Sequence, residues 1–493
     1  MRLSRPMTTL RSASRARARA LRVGAILIPI CIGASVATWT IVEDRALNSS
    51  TLGRLTMGVT DASTVVGPPL TQVAVSVRRE KGGLADAKRA AEDLGGFAQR
   101  FYGRLSNPNR NFVYSPLSIS MALSMLSVGA VGETLTQIHE VLGFSGKNAV
   151  LQQGQGALAQ QLERRNERGK GPRIRKVSYD FAGNLLDGSV QVAMRPRHQQ
   201  LALSTDVWFG AGTHLSPTAA STVGRFYGPS LHIADFRHRH EQCRVAINNY
   251  AADITAGMIP EILPPRTLGP QTTMVLTSVL YFRGAWLSPF DKRRTEPEVF
   301  YGADGDQHLV PTMQTTGRMG YSATPELTVI VLPYSTMELE FVVAMPTLGT
   351  FREVAEAFDR ASSSPFSRAG IQHRLVELHL PKFQMSSPPA TPLVAALKNA
   401  GMTDAFSPER ADFSRWYSQA EARPFLAHAA HQAVVIVDEQ GTEAAAATSV
   451  STRQMDLPAE PVVVAVDHPF IFWIRDRPTN AILFLGHVVT LGD

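Results

Sequence analysis

The sequence predicts an α+β fold, on three observations. Strand-like apolar runs, such as residues 329–332 and 339–345, alternate with shorter helical patterns and many turns. Neither an internal repeat nor a regular βαβ rhythm is visible, which argues against a solenoid and against a doubly wound parallel sheet. The 493 residues are 44% hydrophobic, which is enough for a sizeable core.

The N-terminus predicts export. Residues 23–42 form an uncharged, mostly apolar stretch of about bilayer-spanning length, with seven arginines before it and Glu43 and Asp44 after it. We expect residues 1–42 to be either a signal peptide, with small residues at 35–37 for cleavage, or an uncleaved anchor that tethers the domain to a membrane. In both cases the domain is extracellular, secreted or membrane-anchored. A helix buried within the domain is the third alternative.

Charge and motifs exclude several function classes. Most of the +7 net charge belongs to the arginine-rich terminus, so the composition does not favour nucleic-acid binding. The sequence contains no nucleophile elbow, no zinc-protease helix motif, no phosphate-binding glycine loop and no Cys-x-x-Cys pair. We therefore expect neither an enzyme nor a metal or organic cofactor.

Residues 43–85 are predicted to be a flexible linker, because they are rich in Ser, Thr, Gly and Val and show no sustained period. Asn48, in an Asn-Ser-Ser triplet, is a candidate glycosylation site if the chain is exported. Of the two cysteines, Cys31 lies in the apolar segment and Cys243 far from it, so no disulfide is expected within the domain. The fold must therefore be held by its core alone.

The folded domain is predicted to span residues 86–493. Apolar residues at helical spacing over 94–105 predict an amphipathic first helix. Ser115 and Pro116 then open a second helix, as its cap and its first helical residue. Around residues 164–200 the chain becomes basic and then glycine-rich and polar, which predicts an insertion.

A strand-like run at residues 434–437 precedes a long stretch of small side chains. Four alanines at 444–447 follow Glu443, and Thr448 and Ser449 come next. Local propensity favours a helix here, because alanine is the best helix former. None of these side chains is large enough to anchor the stretch in a core, so the rest of the chain decides between helix and strand.

Seven segments, in order along the chain, resemble motifs of the serpin family. Residues 464–474 are similar to the C-terminal serpin signature, and residues 481–486 to the final strand that follows it. The other motifs are the entry to helix B at 111–120, helix F with Ile247, Asn248, Thr255, Gly257 and Ile259, the end of a sheet A strand at 282–286, and the segments 380–383 and 438–447. The resemblance covers roughly residues 86–493.

The resemblance implies three β-sheets, about nine helices and an exposed reactive loop after a central strand of sheet A. It also implies an exported inhibitor of serine endopeptidases, and we expect a monomer. The protease attacks the loop as a substrate and forms an acyl-enzyme, after which the cut loop inserts into sheet A as an extra strand. The hinge of that loop is assigned to Glu439, Gly441, Thr442, Glu443, Ala444, Ala445, Ala446 and Ala447.

The residues of the hinge support insertion independently. An inserting strand must bury alternate side chains under a packed helix, so these side chains must be small and uncharged. Thr442, Ala444, Ala446 and Thr448 meet that condition, whereas Glu443 has the opposite parity and can stay solvated. An alanine-rich loop that only links two strands is the alternative.

The usual serpin spacing from Gly441 places the scissile bond at Met455–Asp456, which suits an elastase-like or chymotrypsin-like protease. The second choice is Arg453–Gln454, which suits a trypsin-like protease. The loop is a few residues longer than in common serpins, and the extra residues could lie on either side of the cut. Both peptide bonds therefore remain candidates for the scissile bond.

The resemblance also assigns residues that govern the opening of sheet A. The shutter residues beneath the sheet are Ser115, Ser118, Ser278 and His431, and the breach residues, where the loop enters, are Glu439, Lys382 and Trp286. Ser278 stands where the family has an asparagine. We therefore expect its network with His431 to be shorter or bridged by water.

Basic residues after the presumed helix D form a candidate site for a sulfated polyanion, because clustered Arg and Lys bind sulfate with a steep salt dependence. They are Arg164, Arg165, Arg168, Lys170, Arg173, Arg175 and Lys176. A solvated insertion loop is the alternative there. For the whole protein the competing functions are a non-inhibitory binding or carrier protein, a cysteine-protease inhibitor and a polyanion-binding surface protein.

Overall fold

The computed structural model describes residues 69–75, 77–166, 175–179, 185–191, 199–360, 364–387, 393–418, 424–442 and 460–492. The export segment, Asn48, the hinge from Glu443 onward and both candidate scissile bonds lie outside the described residues. None of the helices in the described part of the chain is both long and apolar enough to cross a membrane.

Eight α-helices are formed by the described residues, close to the predicted number. They are α1 Leu84–Leu105, α2 Pro116–Leu126, α3 Gly132–Leu142, α4 Asn148–Glu163, α5 Pro217–Phe226, α6 Phe236–Ile254, α7 Phe351–Ala357 and α8 Leu393–Asn399. The predicted first helix is α1, which buries its apolar face from Leu94 to Leu105. At the start of α2, the Ser115 hydroxyl accepts a hydrogen bond from the Ser118 N–H at 3.1 Å, and Pro116 is the first helical residue, as predicted.

The described strands are short except near the centre of the domain. They are β1 Leu70–Gln72, β2 Phe112–Tyr114, β3 Arg175–Tyr179, β4 Leu185–Gln191, β5 Gln199–Gly210, β6 Leu231–Ala234, β7 Met274–Ala285, β8 Glu296–Tyr301, β9 Gln307–Ala323, β10 Leu327–Pro333, β11 Leu339–Pro346, β12 Gln372–Pro381, β13 Phe383–Ser386, β14 Leu426–Val437, β15 Gly441–Thr442, β16 Val462–Ala465, β17 Phe470–Asp476 and β18 Ile482–Val488.

Two large sheets organise these strands. Sheet A has the order β1-β6-β5-β7-β14-β13, with β15 paired to β7. Sheet B has the order β16-β12-β9-β10-β11-β17-β18-β2, with β8 paired to β9. The third sheet is the hairpin β3-β4, which lies within the predicted basic insertion. This mixture of sheets and helices confirms the predicted α+β class.

Sheet A separates two apolar cores. Leu276, Leu280 and Phe282 of β7 belong to the main core, which also contains α2 and the inner face of sheet B. Val275 and Val279, the alternate residues of β7, belong to a smaller core beneath α6. Because successive side chains of a strand point to opposite faces, any strand inserted beside β7 would run between these two layers.

The domain begins earlier than residue 86. Residues 69–75 and 77–83, which the sequence assigns to a flexible linker, lie on the domain, and β1 pairs with β6. A strand of three residues has no period that a sequence could show, and its partner is distant along the chain. The domain therefore begins before residue 86 because of a backbone pairing between segments distant along the chain, which the sequence pattern does not show.

Candidate functional site: the top and centre of sheet A

Strand β14 is followed by a tight turn that sends the chain back along sheet A. The Asp438 carboxylate accepts hydrogen bonds from the N–H groups of Gln440 at 2.8 Å and Gly441 at 3.1 Å. Gly441 has a φ of 152°, and a Cβ at this position would lie 2.0 Å from the carbonyl oxygen of Gly284. The turn therefore requires glycine at position 441.

The first two residues after this turn are already paired as a strand. Gly441 lies opposite Ala285 and Thr442 opposite Gly284, antiparallel to β7. On its other side Gly284 is paired with Gln199 of β5, so β15 must occupy the side of β7 that faces β14. Direct parallel pairing between β7 and β14 extends from Met274 to Tyr281 on β7. The chain thus enters sheet A at the end of the β7–β14 seam.

Glu439 and Lys382, which the sequence assigns to one ion pair, lie together beside this turn. The Lys382 ammonium donates to the Glu439 carboxylate at 3.0 Å, and the Thr295 hydroxyl donates to the same oxygen at 2.9 Å. Burial alone would raise the pKa of Glu439, but its backbone N–H and the hydrogen bonds from Lys382 and Thr295 outweigh burial and lower that pKa. The carboxylate is therefore charged, and one of its oxygens accepts both hydrogen bonds.

Trp286, the third predicted breach residue, fastens the turn from the other side. Its indole N–H donates to the Asp438 carbonyl and its backbone N–H to the Gln440 carbonyl, each at 2.9 Å. The indole is stacked on Tyr334 with ring centroids 4.7 Å apart, and Phe341 packs against its edge. This aromatic packing holds Trp286 rigid, so the turn is held against β7 at two carbonyls.

His431 lies in the middle of the β7–β14 seam, below the breach. Its Nε2 accepts the Ser115 backbone N–H at 3.0 Å, and its Nδ1 lies 3.2 Å from the Ser118 hydroxyl. Because a backbone N–H can only donate, the proton of the neutral ring is on Nδ1. Burial lowers the pKa of His431 to about 3, against the opposing effect of a hydrogen bond with the Ser278 backbone. The imidazole is therefore neutral at physiological pH.

Ser278 lies opposite His431 in the parallel pairing of β7 and β14. Within the described part of the chain its hydroxyl is buried and has no hydrogen-bond partner. The predicted shutter residues are thus brought together, but Ser278 takes part through its backbone. A serine side chain is shorter than the asparagine that the family resemblance leads us to expect at this position.

Helix α6 covers the outer face of the seam and is fastened by a polar cluster that the sequence did not reveal. The Tyr250 hydroxyl on α6 donates to Asp206 of β5 at 3.2 Å, and His232 of β6 lies 2.8 Å from the same carboxylate. The His232 ring is stacked on Trp208 with centroids 3.9 Å apart. These residues are scattered along the chain, so only the fold shows that they form one cluster.

Thr295 and Asp438 are two further residues of the site that the sequence analysis missed. Asp438 carries a signal, because Asp three residues before Gly is typical of a turn. Thr295 carries none, since it is distant from Glu439 along the chain.

Arg165, assigned by its sequence neighbours to the polyanion cluster, has another role in the structure. Its guanidinium is buried and bonds Asp476 at 2.8 Å and Glu338 at 3.2 Å. A polyanion would have to displace both carboxylates, so we remove Arg165 from the candidate site. Arg168, Lys170 and Arg173 lie outside the described residues, and for Arg175 and Lys176 only the backbone strand is described.

Comparisons with known proteins agree with this geometry. The family model described as serpin (serine protease inhibitor) matches residues 92–491. Serpin B6 of Pongo abelii is 30% identical over 403 residues, which cover 80% of this chain and 98% of that protein. Antithrombin-III of Homo sapiens is 28% identical over 398 residues, covering 80% of each. The crystal structure of the thermophilic serpin tengpin in the native state is similar with a TM-score of 0.69 and 24% identity, covering 85% of this chain and all of that one.

Proposed function

The chain belongs to the serpin family, and on that premise we propose that it is an exported, single-use inhibitor of a serine endopeptidase. The observation that carries the proposal is β15. Gly441 and Thr442 already lie on the β14 side of β7, where an inserted strand would begin. Serpins are in general protease inhibitors without enzymatic activity of their own. The pairing of β15 with β7 supports inhibition by this chain, because it would give the inserting loop its entry point.

Trapping begins as ordinary proteolysis. The serine hydroxyl of the protease attacks the carbonyl of the scissile bond, a new C–O ester bond forms, and the C–N bond breaks. The released amine takes up the proton and becomes the new N-terminus of the segment that continues into β16. The loop from Thr442 to the cut end, which carries the protease as an ester, is then free to extend β15.

The register of β15 defines where the inserting residues would lie. Its continuation places Ala444 opposite Phe282, Ala446 opposite Leu280 and Thr448 opposite Ser278, all on the face of the main core. Small side chains suit that face because β7 already fills it.

The alternate residues of the loop would lie on the outer face. Ala447 would lie opposite Val279 beneath α6, where only a small side chain fits. Glu443 would lie opposite Arg283, beyond the end of the direct β7–β14 pairing. The opposite charges of these two side chains would favour pairing of the inserted loop with β7.

Insertion is expected to be strongly favourable. An additional strand in sheet A that gains about a dozen backbone hydrogen bonds at roughly 1 kcal/mol each gains on the order of 10 kcal/mol. This amount is comparable with the stability of a whole domain. Insertion therefore supplies enough free energy to distort the attached protease.

The proposal extends to the class of target. Cleavage at Met455–Asp456 would make the target an elastase-like or chymotrypsin-like enzyme, and cleavage at Arg453–Gln454 a trypsin-like enzyme. Because the apolar segment at 23–42 directs export, the proposed target is an extracellular protease.

The test is a protease panel. Purified protein is incubated with trypsin, chymotrypsin, elastase and a papain-like cysteine protease, and the products are separated under denaturing conditions while the released C-terminal peptide is sequenced. We expect an SDS-stable complex with at least one serine protease and a peptide that begins at Asp456 or Gln454. Clean cleavage by every enzyme, with no complex, would contradict inhibition and favour the binding or carrier function. A complex with the papain-like enzyme alone would favour cysteine-protease inhibition.

A further inference from the structure

We propose that a cleft between α1 and α4 binds a small organic cation, an ammonium or guanidinium group on an apolar stem. The cleft has a volume of about 580 Å³, which is within the range usual for small-molecule sites. The residues that line it belong to α1, α4 and the link between α3 and α4, and not to sheet A. The inference therefore goes beyond the proposed function and does not depend on it.

One side of the cleft is apolar. Phe144, in the link between α3 and α4, lies edge-on to His139 with ring centroids 5.4 Å apart. Val150, near the start of α4, is 55% exposed, and Leu151 beside it is buried. Apolar walls with a few polar groups are typical of sites that bind small molecules. This side of the cleft therefore suits the apolar stem of a ligand.

The α1 side of the cleft is acidic. Asp86, Glu92 and Asp93 line it together with one basic residue, Arg89. Arg89 is already paired with Asp86, which also accepts a hydrogen bond from the Gln153 amide at 3.4 Å. Among the described residues no side chain forms a hydrogen bond or an ion pair with Glu92 or Asp93. Two carboxylates without a bonded partner therefore line the cleft.

The electrostatics of Asp93 favour an added positive charge. Partial burial and then repulsion from Glu92 raise the pKa of Asp93, more than the nearby Arg100 lowers it. Arg100 itself donates to the Leu142 carbonyl at 3.2 Å. A cation bound beside Glu92 and Asp93 would relieve the repulsion between these two carboxylates. The two acidic side chains therefore supply part of the binding free energy for a positively charged head group.

A second and independent feature of the cleft is a buried acceptor. Gln155 of α4 lines the cleft and is only 2% exposed, and its Nε2 donates to the Ser120 hydroxyl at 3.2 Å. Its Oε1 is buried and has no hydrogen-bond partner among the described residues. A buried acceptor costs free energy unless a donor reaches it. Ammonium and guanidinium groups only donate hydrogen bonds, so they suit this oxygen as well as the carboxylates.

Other classes of ligand fit less well. An anion would be repelled by the carboxylates of α1, and a neutral ligand would leave their charge uncompensated. In the described part of the chain no three His, Cys, Asp or Glu side chains are placed to hold a metal ion. The charge of the cleft is also opposite to that of Arg164 and Arg165, at the other end of α4. An organic cation is therefore the class that agrees with every side of the cleft.

The experiment is isothermal titration calorimetry of the full-length protein with three probes that share one stem and differ only in the head group. They are phenylbutylamine, phenylbutanol and phenylbutyrate. We expect the amine to bind with a Kd below about 1 mM, and the alcohol and the acid to bind at least about tenfold more weakly. Equal binding of all three probes, or no binding of the amine, would overturn the proposal.

Variants locate the bound amine. The Kd for phenylbutylamine should rise at least about fivefold in Asp93→Asn and in Gln155→Met, and stay within about twofold of the parent value in Glu140→Gln. Glu140→Gln is the matched control, because Glu140 is an exposed carboxylate of α3 that does not line the cleft. If Gln155→Met does not fold, Asp93→Asn and Glu92→Gln decide. An equal Kd in Asp93→Asn and Glu140→Gln would contradict binding in this cleft.

A short arginine-rich peptide is the last probe, because a basic side chain of a protein partner would present the same kind of head group. If the peptide binds at least about tenfold more tightly than phenylbutylamine and loses this advantage in Asp93→Asn, the cleft serves a protein partner and the small-molecule inference is wrong. None of these titrations contains a protease. A failure of the proposed inhibitory function would therefore leave their outcome unchanged.

Discussion

The shutter lies at the centre of the β7–β14 seam and the breach at its end, and the two are held by different physical means. At the shutter, the neutral ring of His431 is 1% exposed and bonds Ser115 and Ser118 of α2. At the breach, a charged pair joins Glu439 to Lys382, whose side chain is 37% exposed. Water can replace the partner of Lys382 as the pair opens, but no water reaches His431. The seam is therefore expected to open at the breach first and at the shutter last.

This difference agrees with the position of β15. The loop begins at the end of the seam where separation of β7 from β14 should cost the least free energy. Its register leads toward Ser278 at the shutter. Among the described residues the buried hydroxyl of Ser278 has no hydrogen-bond partner, so the centre of the seam is less strongly bonded than it would be with an asparagine there. The resistance to opening is thus concentrated in His431.

The largest expected effect on stability is that of His431→Leu. Removal of the ring leaves the Ser115 N–H buried without its acceptor and the Ser118 hydroxyl without the donor Nδ1–H, which should lower the free energy of unfolding by about 3 kcal/mol. Ser278→Ala is the control in the same seam, and it should cost less than about 1 kcal/mol because its hydroxyl makes no bond. Urea unfolding measures the free energy of unfolding of both variants and of the parent protein. Equal losses in the two variants would contradict the claim that His431 provides most of the bonding in the seam.

Acid should weaken the shutter before the breach. The pKa of His431 is lowered from 6.5 to about 3, so the unfolded chain takes up a proton first, and stability falls as the pH drops below 6.5. The slope from this group approaches about 1.4 kcal/mol per pH unit. The pKa of Glu439 is lowered from 4.5, so its contribution is lost only as the pH falls below 4.5.

The measurement is urea unfolding from neutral pH to about pH 5 for the parent protein and His431→Gln. The parent should lose more stability than the variant over this range. Burial also lowers the pKa of His487, to about 4, so a residual loss remains in His431→Gln. Identical slopes in the two proteins would show that His431 does not carry the acid sensitivity.

The stability effect expected for Lys382→Met is much smaller than that of His431→Leu. Since Lys382 is partly exposed and Thr295 still bonds Glu439, the free energy of unfolding should fall by only about 1 kcal/mol. The rate of complex formation with the inhibited protease should nevertheless rise, because the breach opens more easily. A loss as large as that of His431→Leu would remove the distinction between the two regions.

The sequence predicted the parts of the site that are local or that resemble the family. The cap at Ser115 and the pairing of Glu439 with Lys382 fall into these two classes. It could not predict that Arg165 faces Asp476 or that β1 pairs with β6, because both depend on contacts between distant segments. Basic composition suggested a surface role for Arg165, but the fold places a carboxylate on either side of it.

The measurement that tests the central claim most directly is the stoichiometry of inhibition of Thr442→Arg against Glu443→Arg. The Thr442 backbone lies opposite Gly284. In the proposed inserted strand, continuation of this register would turn position 442 toward the main core and position 443 toward the outer face. Arg at 442 would bury an unpaired charge on insertion, so we expect cleavage without an SDS-stable complex, whereas Glu443→Arg should still trap the protease. If Thr442→Arg forms complexes at the parent stoichiometry, insertion in this register is wrong.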